Sequence, residues 1–374
     1  MESRSSRDGA APWRHIDLLL VAATAGILAI GLLMVYSSTR TKPVTGLEPS
    51  YFVRRQAIFV VAGLAAMVVA MTVDYRVLRD WAPVLYGGAI FTLLAVLSPF
   101  GTARRGAQAW FQIGSFHIEP SELSKIVLIL CLASYCSAFR DELDTRTLAM
   151  ALGLAAVPLV LIYLQPDVGT DMVFAAIIMA VLLVGGARAR HILILTFIGL
   201  TAVVAILQLG VLKQYQLDRL AAFLDPQGDT QRSAYNLRQS QIAIAAGGVS
   251  GKGLFRGTQT NLAFVPEQHT DFIFTAVGEE LGFVGATTLL ALFALVVWRT
   301  WRTAVLAKDR FGTLLCAGVL GMVVFQVFEN VGMTMGITPI AGIPLPLMSY
   351  GGSATVATLV GIGLVLNVHM RRFS

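Results

Sequence analysis

Apolar segments of about 20 residues, the length an α-helix needs to cross a bilayer, recur along the whole chain. Barrel strands would instead show short segments of alternating polarity. The pattern therefore predicts an all-α, polytopic membrane protein with about ten spans, forming a single transmembrane domain over residues 16–370 between tails 1–15 and 371–374. The predicted spans are 16–36, 56–73, 82–98, 122–139, 148–164, 168–185, 191–210, 272–298, 312–335 and 351–370.

Composition supports the membrane class. Of the 374 residues, 56% are hydrophobic and only 13% are charged, well below the roughly 25% charged residues of a soluble domain. The three cysteines, Cys131, Cys136 and Cys316, lie inside apolar segments without metal-ligand spacing. We interpret them as packing residues, with no disulfide framework.

Basic residues in the short loops predict the orientation of the chain. With the N-terminus in the cytoplasm, the inner tails and loops carry fifteen Lys and Arg residues, and the short outer loops carry seven. Both termini are therefore expected in the cytoplasm. The outer cations Arg54, Arg55, Arg104, Arg105 and Lys125 flank spans two, three and four. Each either holds a helix end to phospholipid phosphates or contributes to a site for an anionic headgroup.

The only long hydrophilic segment, residues 211–271, is predicted to lie outside the membrane between spans seven and eight. It contains a polar amphipathic run, residues 235–244, and a glycine-rich stretch, residues 247–253. A loop of this length with its own helical pattern is usually functional. The glycine-rich stretch matches neither a dinucleotide-binding fingerprint nor a P-loop, so no nucleotide site is predicted.

Asp271 lies at the mouth of the eighth apolar segment, between Thr270 and Phe272. An ionised Asp in hydrocarbon costs about 3 kcal/mol by insertion scales, so an intramembrane carboxylate has a functional interpretation by default. Asp271 is therefore the first candidate for a reacting group.

Three further segments carry candidate residues on the same predicted side. Pro120 suits the first turn of the fourth span, and Glu122 and Lys125 are three residues apart, so they lie on one helix face and can pair. This pair either holds the structure together or keeps Lys125 ready for a phosphate. Asp167 between spans five and six either caps the sixth helix or faces a shared polar cavity.

The segment 342–353, which contains Ser349, has two prolines and two adjacent glycines before the last span. It cannot form one continuous helix. Irregular backbone at membrane depth needs protein or a wet cavity around it, so a re-entrant segment lining a pocket is predicted. A carboxylate and several cations at one membrane face suit chemistry on a sugar that is joined to a lipid through pyrophosphate. The carboxylate accepts a proton from an attacking hydroxyl, and the cations stabilise the departing pyrophosphate.

These segments resemble the SEDS family (shape, elongation, division and sporulation proteins), and within it the RodA group. The motifs that carry the resemblance run in family order over nearly the whole chain, with ten spans as the family has. They are Arg105-Gly106-Ala107-Gln108, the Pro-Ser-Glu-x-x-Lys of 120–125, the Gln-Pro-Asp-x-Gly-Thr of 165–170, Asn236-Leu237-x-Gln239-Ser240, Gly251-Lys252-Gly253, the Pro-Glu-x-His-Thr-Asp-Phe-Ile-Phe of 266–274, the Gly-Ile-Pro-Leu-Pro of 342–346 and the Ser-Tyr-Gly-Gly-Ser of 349–353.

The resemblance implies a peptidoglycan glycosyltransferase that polymerises lipid II into β-1,4 glycan strands outside the cytoplasmic membrane, for cell elongation and shape. It implies that Asp271 is the essential residue and base, that Glu122 and Lys125 shape the cavity, and that Arg55 is a family feature. It also implies a class B penicillin-binding protein as partner. No metal-ligand cluster is evident in the sequence, and assistance by a divalent cation (Mg or Mn) stays open.

Two departures from the family pattern bear on the site. Ala109 stands where the family usually has a basic residue before the tryptophan, and Arg104 or Arg105 is the candidate to supply that charge. Glu119 stands where the family usually has glutamine, which adds a negative charge near the pocket. The alternatives to an elongation polymerase are a flippase for lipid-linked precursors, a division polymerase of the FtsW type, and a scaffold that only holds a penicillin-binding protein.

Overall fold

A computed structural model describes residues 15–41, 48–104, 107–114, 116–139, 142–208, 214–224, 232–262 and 264–372. These residues form thirteen helices and one small sheet. The elements in chain order are α1 (Leu18–Thr39), α2 (Tyr51–Thr72), α3 (Tyr75–Leu97), β1 (Thr102–Arg104), β2 (Ala107–Ile113), β3 (Phe116–Ile118), α4 (Pro120–Ser137), α5 (Thr145–Leu164), α6 (Val168–Val184), α7 (Ala189–Gln208), α8 (Gln214–Leu224), α9 (Arg232–Gly247), α10 (Thr258–Asn261), α11 (Ile273–Val305), α12 (Arg310–Met335) and α13 (Gly352–Arg371).

The helical class is confirmed, and a helix lies at each of the ten predicted positions. Eight of these helices, α1 to α5 and α11 to α13, are long and apolar enough to cross a membrane. Two described apolar helices are shorter, Val168–Val184 and the Ala189–Thr201 part of α7. The prediction of ten spans therefore stays a prediction for these two.

Helices α4, α12 and α13 form the centre of the bundle, whereas α3 is mostly exposed at its surface. Small residues let neighbouring helices approach closely, as is common in membrane bundles. A Cβ added at Gly321 of α12 would lie 2.5 Å from the Cβ of Ala180 in α6. A Cβ at Gly363 of α13 would lie 2.7 Å from the carbonyl oxygen of Met67 in α2.

Helix α11 is broken at Gly282, where φ is 66° and ψ is −161°. The loop after α9 supplies partners for backbone groups beside the break: Lys252 N donates to the Glu279 oxygen at 3.0 Å, and Phe283 N donates to the Gly248 oxygen at 2.9 Å. The helix at the predicted span 272–298 is therefore longer than the span and interrupted near its start. It continues to Val305, and residues 273–281 form a separate first piece fastened to this loop.

Two local features differ from the sequence-based expectation. Residues 102–118 hold an antiparallel sheet in the order β1-β2-β3, which the apolar pattern did not predict. The amphipathic run at 235–244 is helical, as expected, and forms part of α9. Residues 225–231, which belong to the polar part of the long loop, lie outside the described residues.

Candidate functional site

Asp271 is half-buried and lies two residues before α11. Asn330 of α12 is fully buried, and its Nδ2 donates to the backbone oxygens of Asp271 and Ile343, each at 2.8 Å. Tyr350 N donates to the His269 oxygen at 2.8 Å. The backbone around the acid is thereby joined at two points to the segment between α12 and α13, residues 336–351, which we call the connecting segment.

The connecting segment is irregular, as predicted for 342–351, whereas residues 352 and 353 already belong to α13. Gly342 in this segment has a φ of +75°, and a Cβ built on it would lie 3.6 Å from Asp271 Oδ2 and 3.3 Å from Arg219 Nη1. Arg219 Nη1 also donates to the Ala341 oxygen at 3.2 Å. The carboxylate and the guanidinium therefore border one small volume beside Gly342.

Arg219 was not singled out from the sequence, where it is one of several cations in the long loop. It lies on α8, a short helix of mixed polarity that faces the bundle with this side chain half-buried. A basic residue within a short amphipathic stretch was the available signal. Its proximity to Asp271 could not be read from the sequence, because the two residues are far apart along the chain.

Asp167 is the N-cap of α6, and its Oδ1 accepts a hydrogen bond from Thr170 N at 3.1 Å. This confirms the capping interpretation. The same turn packs on the connecting segment, since a Cβ at Gly169 would lie 2.7 Å from the Ala341 oxygen. Asp167 therefore lies near the region that holds Gly342, and capping does not remove it from the site.

Glu122 and Lys125 form the predicted pair, with Nζ to Oε2 at 2.7 Å. Lys125 was counted among the cations of the short outer loops and also predicted to pair with Glu122 on a helix face. The count in a loop is wrong, because Lys125 lies in the second turn of α4 and is only 1% exposed. Because Pro120 begins the helix, positions 122 and 125 share the face that turns inward. The charge is buried there beside its counter-ion, which offsets part of the desolvation.

Glu119, the residue before α4, joins three elements of the site. Its Oε2 accepts from Trp110 Nε1 in β2 at 3.1 Å, and its Oε1 accepts from Ser121 Oγ at 2.9 Å. Its backbone N donates to Ser353 Oγ in α13 at 2.9 Å. Glu119 therefore orients the sheet and α13 around the start of α4.

Burial and the carboxylates of Asp167 and Glu122 raise the pKa of Glu119 well above its ordinary value, while Lys125 acts in the opposite direction. The protonated, neutral form of Glu119 is thereby favoured. Asp167, Glu122 and Lys125 all act on Glu119, so the start of α6 and the start of α4 belong to one polar region.

The remaining candidates have different surroundings. Arg55 is half-buried, donates to Tyr51 Oη at 2.6 Å, and lies over the ring of Phe116 from β3, 4.9 Å from its centroid. Arg54 is exposed and paired with Glu48 at 3.0 Å, which fits a surface role better than a place in the cavity. Arg104 ends β1, but its side chain and the whole of Arg105 lie outside the described residues.

Ser349 was expected to face the cavity, and instead it is buried, with 3% of its surface exposed. Its Oγ accepts from Leu345 N at 2.9 Å, and its backbone oxygen accepts from Gln56 Nε2 at 3.2 Å. The Ser349 hydroxyl therefore stabilises a turn within the connecting segment. Gln56, itself buried in α2, was missed because its partners come from the far end of the sequence.

Within the part of the chain that is described, no group of three or more His, Cys, Asp or Glu side chains is placed to hold a metal ion. The arrangement is a carboxylate, Asp271, beside a guanidinium, Arg219, in a bundle that also holds the buried ion pair of Glu122 and Lys125. A proton acceptor next to fixed positive charge suits the transfer of a group with an anionic leaving group.

Known proteins resemble this chain in sequence and in fold. The model of the FtsW, RodA and SpoVE family, described as "Cell cycle protein", matches residues 17–373. Stage V sporulation protein E of Bacillus subtilis (strain 168) is 37% identical over 94% of this chain and 96% of its own length. Peptidoglycan glycosyltransferase MrdB of Escherichia coli (strain K12) is also 37% identical, over 96% of this chain and 94% of its own.

Two solved structures give the same result. A chain from a peptidoglycan synthase complex that coordinates polymerization and crosslinking superposes with a TM-score of 0.82 at 33% identity, covering 96% of this chain and 99% of that one. The rod shape determining protein RodA of Thermus thermophilus superposes with a TM-score of 0.73 at 30% identity, covering 97% and 100%. With matches of this extent in both sequence and structure, the chain belongs to the FtsW, RodA and SpoVE family.

Proposed function

We propose that Asp271 is the general base of this membrane enzyme, a peptidoglycan glycosyltransferase, and that the polar region around it binds lipid II. The observation that carries the proposal is the small volume beside Gly342, bordered by Asp271 Oδ2 and the guanidinium of Arg219. An acceptor hydroxyl and a departing phosphate need these two kinds of group close together.

In the proposed reaction Asp271 takes the proton of the 4-hydroxyl of the acceptor N-acetylglucosamine. The oxygen attacks the anomeric carbon of the lipid-pyrophosphate-linked donor glycan, the bond to pyrophosphate breaks, and the α configuration inverts to a β-1,4 linkage. Arg219, Arg55 and Lys125 are assigned to the developing negative charge, with Arg104 and Arg105 as further candidates. Glu122, Asp167 and Ser349 position these groups. A divalent cation enters no step of this scheme.

Asp271→Asn tests the base directly, because it keeps the shape of the side chain and removes its basicity. We expect the purified variant to bind lipid II and to polymerise it about 10²–10⁴-fold more slowly, the usual contribution of a general base. Glycan strands are measured by gel after incubation with lipid II in proteoliposomes. Asp80→Asn, at an exposed site in α3 at the other end of the bundle, is the matched control. Polymerisation by Asp271→Asn at the wild-type rate contradicts the assignment.

The same proteoliposomes separate an enzyme from a flippase. Glycan strands made by the wild-type chain support the proposal, whereas translocation of lipid II without any polymer supports the flippase alternative.

We place the Asp271 end and the loop 211–271 outside the cytoplasmic membrane, and residues 1–15 and 371–374 in the cytoplasm. The transmembrane domain is assigned to 16–370.

We assign the chain a class B penicillin-binding protein as partner, because a similar structure comes from a complex that coordinates polymerization and crosslinking. Polymerisation with and without a purified class B penicillin-binding protein tests this assignment, and an unchanged rate together with no co-purification would argue against it.

We propose that the role of the enzyme is cell elongation. Complementation of cells depleted of RodA, compared with cells depleted of FtsW, distinguishes elongation from division.

A further inference from the structure

Gln56, in the second turn of α2, holds the connecting segment and the start of α13 through its side-chain amide. It is only 1% exposed. Its Nε2 donates to the Ser349 oxygen at 3.2 Å and to Thr355 Oγ1 at 3.0 Å, and its Oε1 accepts from Gly351 N at 3.3 Å. The donor and the acceptor of one buried amide are therefore both used, and they hold the backbone on either side of Tyr350.

Tyr350 joins these contacts to the chain that carries the acid. Its N donates to the oxygen of His269, which lies two residues before Asp271, at 2.8 Å. Phe52 lies four residues before Gln56, so the two side chains share one face of α2. The centroid of the Phe52 ring is 4.9 Å from that of His269 and 5.3 Å from that of Tyr350. Helix α2 is therefore tied to the chain beside Asp271 both by hydrogen bonds and by ring packing.

The same helix carries Arg55, which the proposed reaction assigns to the developing negative charge. Residues 55 and 56 are adjacent in α2, so the contacts that fix Gln56 also fix the backbone of Arg55. Asn330 of α12 holds the backbone of Asp271 from a second helix. The placement of Arg55 relative to the base therefore depends on the contacts that α2 makes with the connecting segment.

We infer that Gln56 and Phe52 are positioning residues of the transferase, which hold α2, and with it Arg55, against the chain that carries Asp271. This inference rests on the proposed function, in which Asp271 is the base. Both residues act through the groups they hold, so their loss should slow the reaction without weakening the binding of lipid II. Fixed placement of the reacting groups supplies a large part of the rate in such transfers.

Gln56→Met tests the inference, because it keeps the length of the side chain and removes all three hydrogen bonds. In proteoliposomes with the full-length protein, we expect the rate at saturating lipid II to fall on the order of tenfold or more, with an unchanged KM. Hydrogen exchange, measured by mass spectrometry, should be faster over residues 348–352, because the Gly351 amide loses its acceptor.

Asn367→Leu is the matched control, since Asn367 is a fully buried amide that joins the same two helices at the other end of α2. Its Nδ2 donates to the backbone oxygens of Ala70, at 2.6 Å, and of Val73. The control should keep the wild-type rate and the wild-type exchange over residues 348–352. A wild-type rate in Gln56→Met, an equal loss of rate in both variants, or a raised KM with an unchanged maximal rate overturns the inference.

Phe52→Leu provides a second test if Gln56→Met fails to fold, because it removes the ring contacts without leaving a buried polar group unpaired. It should also lower the maximal rate, and an unchanged rate contradicts the inference. Asp271→Asn separates the two hypotheses. If that variant polymerises at the wild-type rate, the proposed base is wrong; if it is slow while Gln56→Met is not, the positioning role alone is wrong.

Discussion

Gly342 is a residue whose missing side chain shapes the site. Its φ of +75° belongs to the left-handed region, which other residues adopt at a cost of about 1–2 kcal/mol. The position of its absent Cβ is also bordered by Arg219 and Asp271. The backbone conformation therefore favours glycine, and an added Cβ would press on Arg219 and contact Asp271.

Gly342→Ala is expected to lower the free energy of unfolding by about 1–2 kcal/mol because of its backbone conformation. Activity should also fall, since a Cβ 3.3 Å from Arg219 Nη1 displaces the guanidinium beside the acid, and catalysis depends on such positioning. Polymerisation of lipid II and thermal unfolding in detergent measure the two effects. Gly87→Ala in α3, where a Cβ would meet no heavy atom within 4 Å, is the control and should keep full activity.

Two variants distinguish a structural role of the ion pair of Lys125 and Glu122 from a role in the reaction. Lys125→Ala leaves a buried carboxylate without its partner and should lower the free energy of unfolding by about 3–5 kcal/mol. The double variant Lys125→Met with Glu122→Leu removes both charges and should recover most of that stability. We expect the double variant to fold and yet to lose polymerisation. If it polymerises at the wild-type rate, the pair serves the structure alone.

At the scale of elements, the break in α11 determines where Asp271 lies. The piece 273–281 is held by the loop after α9 rather than by a continuous helix. Glu279, fully buried in this piece, accepts from Gln259 N at 2.8 Å and Thr260 N at 2.9 Å, and from Lys252 Nζ at 2.9 Å. These contacts hold the loop to α11 near the start of the helix that follows the acid.

Gly282→Ala should weaken the contacts between the loop after α9 and helix α11. A Cβ at Gly282 would lie 2.2 Å from Gly251 N and 2.7 Å from the Val249 oxygen, so loop and helix cannot keep their present distance. We expect faster hydrogen exchange over residues 248–257 and a loss of polymerisation, measured by mass spectrometry and by the lipid II assay. Gly153→Ala in α5, with open space at its Cβ, should change neither. Unchanged exchange in Gly282→Ala would mean that the break is not a point of attachment.

At the scale of the whole molecule, the two ends of the bundle carry different chemistry. The Asp271 end holds the ion pair of α4 and the connecting segment, and the other end holds the ion pair of Asp17 and Arg299. The excess of basic residues in the predicted inner loops predicts that the end holding Asp17 faces the cytoplasm.

This orientation can be tested with single cysteines, because Cys131, Cys136 and Cys316 are all buried and should give little background labelling. Val249→Cys, at a position 70% exposed near the Asp271 end, should react with an impermeant maleimide on intact cells. Lys308→Cys, at an exposed position just before α12, should react only after the membrane is permeabilised. The opposite labelling pattern would invert the proposed topology and exclude polymerisation outside the membrane at Asp271.

Local rules account for what the sequence alone determined about this protein. The thickness of hydrocarbon fixes the length of apolar segments, so helix positions were predictable. A spacing of three residues places Glu122 and Lys125 on one face in any helix, and the Asp167 cap depends on its next three residues. The family motifs pointed to Asp271 without any coordinates.

Only the tertiary structure decided which groups meet. Arg219 and Asp271 both border the space beside Gly342, Asn330 binds the backbone of Asp271 and Ile343, and Gln56 binds the backbone of Ser349, each across a long stretch of chain. No local pattern encodes such contacts, because each depends on how several helices pack together. For the same reason the burial of Lys125 was missed. The free energy of a buried charge depends on all the surrounding helices, whereas the sequence shows only its neighbours along one of them.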